Sequence, residues 1–236
     1  MFGVSTFCLN DQPLSLTLER IIALTNYIEI MDEGLHYLDN AECLENYDAH
    51  FTIHSPCRGT NIASLLEPIR RASVEVIGQC FSIASLVNAG VVVHPGYFAW
   101  AMERQKAEQQ CRKSIVELMK LSVEYGIPCY IENMGNWEYF LIKCPDELSL
   151  IGNAAFALDV GHANQNRCLE EFLKYPIQHF HLHDNNGKED SHIAIGEGTI
   201  NFTPVMNAVR KNGVIPIIEV ASFEGVMKSI DRLKVY

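Results

Sequence analysis

The stretch FHLHDNNGKEDSHIAIGEG, residues 180–198, sets three histidines and four carboxylates within nineteen positions. Imidazole nitrogens and carboxylate oxygens at this density are the donors that bind zinc, manganese or iron. His179, His181 and His183 alternate with Phe180 and Leu182. A strand here puts the imidazoles on one face and the apolar pair on the other. With the imidazoles facing inward, His181 is the ligand candidate and His179 a deeper, hydrogen-bonded core residue. His183 either orients a ligand or meets substrate. Gly196 and Gly198 let the chain turn back toward the next helix.

Similar residues recur at the ends of short β-rich runs. Eight runs read as strands: FGVSTFC, YIEIMDE, HFTIHSP, VVVHPG, PCYIENMG, AFALDVGHA, IQHFHLHDN and IPIIEV. Helical periodicity is clearest over Ile62–Asn88 and Ala101–Tyr125, and weaker over 16–25, 145–152, 168–174, 204–211 and 222–234. Alternating strands and helices with no linker or low-complexity break predict one α/β domain over residues 1–236, a (β/α)8 TIM barrel. The rival, an open doubly wound sheet, ordinarily carries a glycine-rich phosphate turn after its first strand, and FGVSTFCLNDQPLSL has none.

In such a barrel, chemistry collects where strands end at the carboxyl face. His54, His94, Glu132, Asp159, His181 and Glu219 fall late in or at the ends of six consecutive strands. One strand-end histidine or glutamate is ordinarily a capping or hydrogen-bonded residue. Six on one rim are different, because crowded buried carboxylates repel and take up protons unless cations compensate them. A metal site is the economical reading. In ALDVGHAN, Asp159 and His162 stand three apart, which on a straight strand sends them to opposite faces. Gly161 is expected to bend the chain so that both reach the rim.

FTIHSP, VVVHPG, YIENMGN, ALDVGHAN, HLHD, DSHIAIGEG and PIIEV, in this order along nearly the whole chain, resemble the xylose isomerase-like barrel superfamily. That group includes sugar isomerases and epimerases as well as the endonuclease IV type of abasic-site nuclease. The resemblance implies a core metal set of Glu132, Asp159, His181 and Glu219. In the isomerases and epimerases the two glutamates also exchange a proton at a carbon next to a carbonyl, through a metal-stabilised enediolate. His162 matches a histidine near substrate or a second metal. The nuclease pattern adds His54, His94, His162, Asp190 and His192 for nine ligands around three zinc ions, and every one has a match here. The implied cofactor is therefore one to three divalent ions of zinc, manganese or iron.

Composition weighs between the two chemistries. The formal net charge of −11 repels polyanions, and Lys and Arg form no run longer than a pair. Three divalent cations still leave about −5. Loops after most strands are short, whereas entering DNA grooves needs loops and basic residues. Arg58, Arg167 and Lys188 fall in rim loops and suit a phosphate or carboxylate. Trp137, Tyr97 and Phe98 suit the wall of a sugar-sized pocket. The expected activity is thus a metal-dependent isomerase or epimerase of a sugar or sugar phosphate. The alternative is a zinc-dependent phosphodiesterase on abasic DNA, the only reading with a nucleic-acid partner, and a non-catalytic metal sensor stands as a third class. Eight scattered cysteines without a C-x-x-C pair, no signal segment and no apolar span long enough for a membrane predict a cytoplasmic protein with reduced thiols. No motif speaks to oligomeric state.

Overall fold

The computed structural model describes residues 1–236 and closes eight parallel strands into a barrel in chain order. The strands are β1 (Gly3–Ser5), β2 (Tyr27–Met31), β3 (His50–His54), β4 (Gly90–Val93), β5 (Cys129–Glu132), β6 (Ala155–Asp159), β7 (His179–Leu182) and β8 (Ile217–Ile218). β1 also pairs with β8, so no edge is left open. Strands buried on both faces read as apolar runs, and β4, GVVV, is buried throughout.

The helices are α1 (Leu14–Ile22), α2 (Glu42–Glu45), α3 (Glu67–Leu86), α4 (Arg104–Tyr125), α5 (Val160–Gln165), α6 (Leu169–Phe172), α7 (Phe202–Asn212) and α8 (Phe223–Leu233). α3 starts later than the periodicity of 62–88 suggests. Pro68 sits in its first turn, where a missing N–H is harmless. The segment before it is held instead by Asn61, whose side-chain oxygen accepts from the N–H groups of Ala63 and Tyr97 at 3.0 and 3.1 Å. Asn88, at φ +53, closes the other end. The expected helix at 145–152 tightens to a 3₁₀ turn over Pro145–Leu150, since six residues between a proline and Gly152 make a poor α-helical nucleus. α2, between β2 and β3, has too little periodicity to be seen in advance.

AFALDVGHA is not one strand. β6 stops at Asp159, whose side chain caps α5 by accepting from His162 N–H at 2.7 Å. Helical spacing, rather than a bend at Gly161, brings Asp159 and His162 together. Gly161 is needed for closeness: a Cβ there would overlap the His183 imidazole. No helix is long and apolar enough to cross a membrane, and all eight cysteines are free.

Candidate metal centre

Three donor groups converge at the carboxyl ends of the strands. In the first, His181 Nδ1 lies 3.3 Å from Glu132 Oε1, 3.5 Å from Glu219 Oε2 and 3.9 Å from Asp159 Oδ2. In the second, the Nε2 atoms of His54 and His94 lie 3.2 and 3.1 Å from Glu132 Oε2. In the third, the Nε2 atoms of His162 and His192 lie 3.1 and 3.3 Å from Asp190 Oδ2. Glu132 thus joins the first two groups, while His162, with Nδ1 3.4 Å from Glu132 Oε1, links the third to them.

The imidazoles are aimed by their other nitrogen. Nδ1–H of His54 donates to Ser55 O at 3.0 Å, that of His162 to Asn133 O at 2.9 Å, and that of His192 to Glu219 O at 2.8 Å. Each bond fixes the ring and leaves Nε2 turned to the shared space, as metal-binding histidines require. His192 holds this pose from a left-handed backbone at φ +42, a conformation that persists only where its surroundings impose it. The donor set fits divalent cations. Glu132, Asp159 and Glu219 are almost wholly buried around one imidazole, and Glu219 Oε1 is buried with no partner at all. Uncompensated, such crowding is costly.

Burial alone would raise the Glu132 and Asp159 carboxyls, but the charges of His181 and His94, and of His162 and His183, hold Glu132 well below the ordinary range and Asp159 at about 2. Burial would likewise lower the histidines. Glu132 instead carries His54 up to about 9 and Asp190 carries His192 up to about 9, while His162 and His181 are raised well above the usual imidazole value. These upward shifts favour protonated imidazoles at neutral pH in the metal-free protein, where their charge offsets that of the carboxylates. For His54 and His192 that stabilisation is complete below pH 6.5 and is lost as pH rises through about 9. Cation binding must displace those protons. Zinc affinity is therefore expected to climb between pH 6.5 and 9, with more than one proton released per chain at pH 7. Calorimetry in buffers of different ionisation enthalpy checks this, and buffer-independent heats would contradict it.

Above the donors opens a cavity of about 770 Å³ lined by His54, His94, Glu132, His162, Asp190, His192 and Glu219. Asp159 and His181 lie fully buried against these residues. Of the residues expected to meet substrate, Arg58, Lys188, Trp137 and His162 line the cavity. His183 does not: it is fully buried, donates from Nε2 to Asp159 at 3.0 Å and stacks on His192 at 3.7 Å between ring centres. It therefore touches two candidate donors, Asp159 and His192, rather than the cavity. Tyr97 lines the cavity with Trp137 and Phe140, whereas Phe98 turns into the core beside Tyr139, and Arg167 lies away from the lining.

Two contributors escaped the sequence reading. Glu29, in β2, is fully buried and accepts from His179 Nε2 at 2.8 Å. Its Oε1 lies 2.8 Å from His181 Nε2, angled as an ion pair rather than an aligned hydrogen bond. A charged residue between Ile28 and Ile30 was its one signal. Asp184, in HLHD, shapes the glycine-rich loop: its carboxylate accepts from the N–H groups of Gly196, Gly198 and Ile200 at 3.0, 3.0 and 3.1 Å. Gly198 leaves room for that approach.

The family model described as xylose isomerase-like TIM barrel matches residues 28–235. The chain is 35% identical to the uncharacterized protein MJ1614 of Methanocaldococcus jannaschii, over 98% of this chain and 94% of that one. A probable endonuclease 4 of Mycobacterium leprae is 26% identical over 72% of each chain. Among solved structures, a D-tagatose 3-epimerase-like protein superposes with a TM-score of 0.90 at 31% identity, covering 100% of this chain and 96% of that one. The IolI protein, solved with a bound zinc atom, superposes at 0.80 and 16% identity over 98% and 96%. With a closed barrel, rim motifs in the expected order and a family match across nearly its whole length, the chain belongs to the xylose isomerase-like TIM barrel family.

Proposed function

We propose that this protein is a divalent-metal-dependent epimerase or isomerase of a sugar or sugar phosphate, moving a proton at a carbon next to a carbonyl. The observation that carries this reading is a pair of carboxylates, Glu132 at the end of β5 and Glu219 just past β8, that approach one His181 nitrogen and both open onto the cavity. A divalent ion held by Glu132, Asp159, His181 and Glu219 would supply the positive charge that makes such a proton acidic. Glu132, held ionised, takes the proton from one face of the carbon, and Glu219 returns one to the other. Trp137, Tyr97 and Phe140 cover an apolar face of the sugar, while Arg58 and Lys188 at the mouth bind a phosphate or carboxylate. The likeness to a D-tagatose 3-epimerase-like structure supports a ketose substrate.

Endonuclease IV-like, zinc-dependent cleavage of abasic DNA is the second reading, favoured by the convergence of all nine candidate ligands and by the endonuclease 4 relative. Against it stand the charge of −11 and a cavity with only two lysine or arginine side chains in its lining. One experiment separates them. In heavy water, with zinc or manganese supplied, a ketose and ketose phosphate panel is expected to gain deuterium beside the carbonyl during turnover. Metal-dependent nicking of an abasic duplex without ketose exchange would reverse the assignment.

A further inference from the structure

The rim carries a donor that the nine matched positions omit. In HSPC, Cys57 stands three residues beyond His54, and its sulfur joins the nitrogens of His54 and His94 in a group whose donor atoms all lie within 4.8 Å of one another. Cys57 is the only cysteine lining the cavity. Its backbone is fixed there: the N–H groups of Cys57 and Arg58 both donate to Glu33 Oε1, at 2.6 and 2.7 Å. Glu132 Oε2 lies 3.2 and 3.1 Å from the Nε2 atoms of the same two imidazoles. The two imidazoles are thus shared: they form one close group with the sulfur, and Glu132 Oε2 reaches the same two rings without belonging to the group that contains Cys57.

We infer that Cys57 is a thiolate ligand to a second divalent ion held with His54, His94 and Glu132, which makes this half of the rim selective for zinc-like ions. The inference rests on the multi-ion reading of the rim. Tetrahedral zinc sets neighbouring nitrogen and sulfur donors roughly 3.3–3.6 Å apart, so the His54, His94 and Cys57 donors, all within 4.8 Å of one another, draw together on binding. On binding, the thiol proton leaves to solvent and a sulfur lone pair forms the bond, with no change of oxidation state. The two halves of the rim then differ in chemistry. Glu132, Asp159, His181 and Glu219 offer three carboxylates and one imidazole, a set open to manganese, whereas a thiolate with two imidazoles favours zinc and cobalt over manganese and magnesium.

Cobalt(II) titration of the full chain tests this. The second equivalent is expected to raise the intense near-ultraviolet thiolate-to-cobalt charge-transfer band. In Cys57→Ser the band is absent, the first equivalent binds as before, and zinc affinity for the second site, read by chelator competition, falls by at least the roughly 10–100-fold that indirect contacts alone cost. His54→Ala loses the second equivalent altogether. Melting temperature confirms that both variants fold. If wild type and Cys57→Ser take up two equivalents with identical spectra, the thiolate is overturned while the second site stands. If wild type takes one equivalent only, the second site and its thiolate fall together.

Discussion

Glu132→Gln and Glu219→Gln are each expected to lower ketose turnover by roughly 10²–10⁴-fold, the range that general acid–base catalysis contributes. Glutamine preserves the side chain's size and one oxygen but neither takes up nor returns the proton. Both carboxylates also belong to the candidate metal group around His181, so part of the loss can come from the ion. The two effects separate in a double measurement: metal content per chain, and turnover at saturating metal. The loss should persist at full occupancy if the carboxylates handle the proton. Glu132 should show the larger metal defect, because its two oxygens face different donors: Oε1 meets His181 and His162, and Oε2 meets His54 and His94. Either variant turning over at the wild-type rate with full metal content would remove the acid–base assignment.

The candidate site was legible where side-chain chemistry coincides with a strand end. His54, Glu132 and Asp159 end β3, β5 and β6, His94 and Glu219 follow β4 and β8 at once, and each can be located by counting along an apolar run. Asp190 and His192 lie in an irregular loop, where no periodicity fixes position, and only the resemblance drew them to the rim. The structure adds the cause: Asp184 gathers the backbone N–H groups of the following loop, and Asp184 and Ile193 pair through both backbone hydrogen bonds at 3.0 Å. Local turn chemistry was less legible. An aspartate cap at Asp159 converts the expected end of a strand into α5, a decision made by one hydrogen bond that hydropathy cannot register. The contributions of Glu29 and Cys57 depend on which strands and loops become neighbours. Glu29 and His179 are 150 positions apart in sequence, a separation across which pattern carries no information.

Glu29 leads to the second large effect. It stands inside the barrel beneath the donors, fully buried, with one oxygen on His179 and the other facing His181 Nε2. Holding Nε2 on that side obliges His181 to present Nδ1 to Glu132, Asp159 and Glu219. A carboxylate behind a ligating imidazole both fixes the ring and increases its basicity. Glu29→Gln is therefore expected to weaken metal binding at the core set by roughly 10–100-fold, with the barrel intact. Glu29→Ala should go further: removing one partner of a buried ion pair typically costs about 3–5 kcal/mol of stability, since His179 and His181 would be left facing a void. The pH dependence gives an independent reading. Burial would raise the Glu29 carboxyl, but the charges of His181 and His179 hold it well below 4.5. A depressed carboxylate contributes stability that is complete above 4.5 and drains away as pH falls through its folded value. Acid unfolding of the metal-free wild type should accordingly steepen below pH 4.5, and Glu29→Gln should flatten that limb. Metal affinity and acid limb both unchanged in Glu29→Gln would show that His181 is oriented by the barrel packing alone.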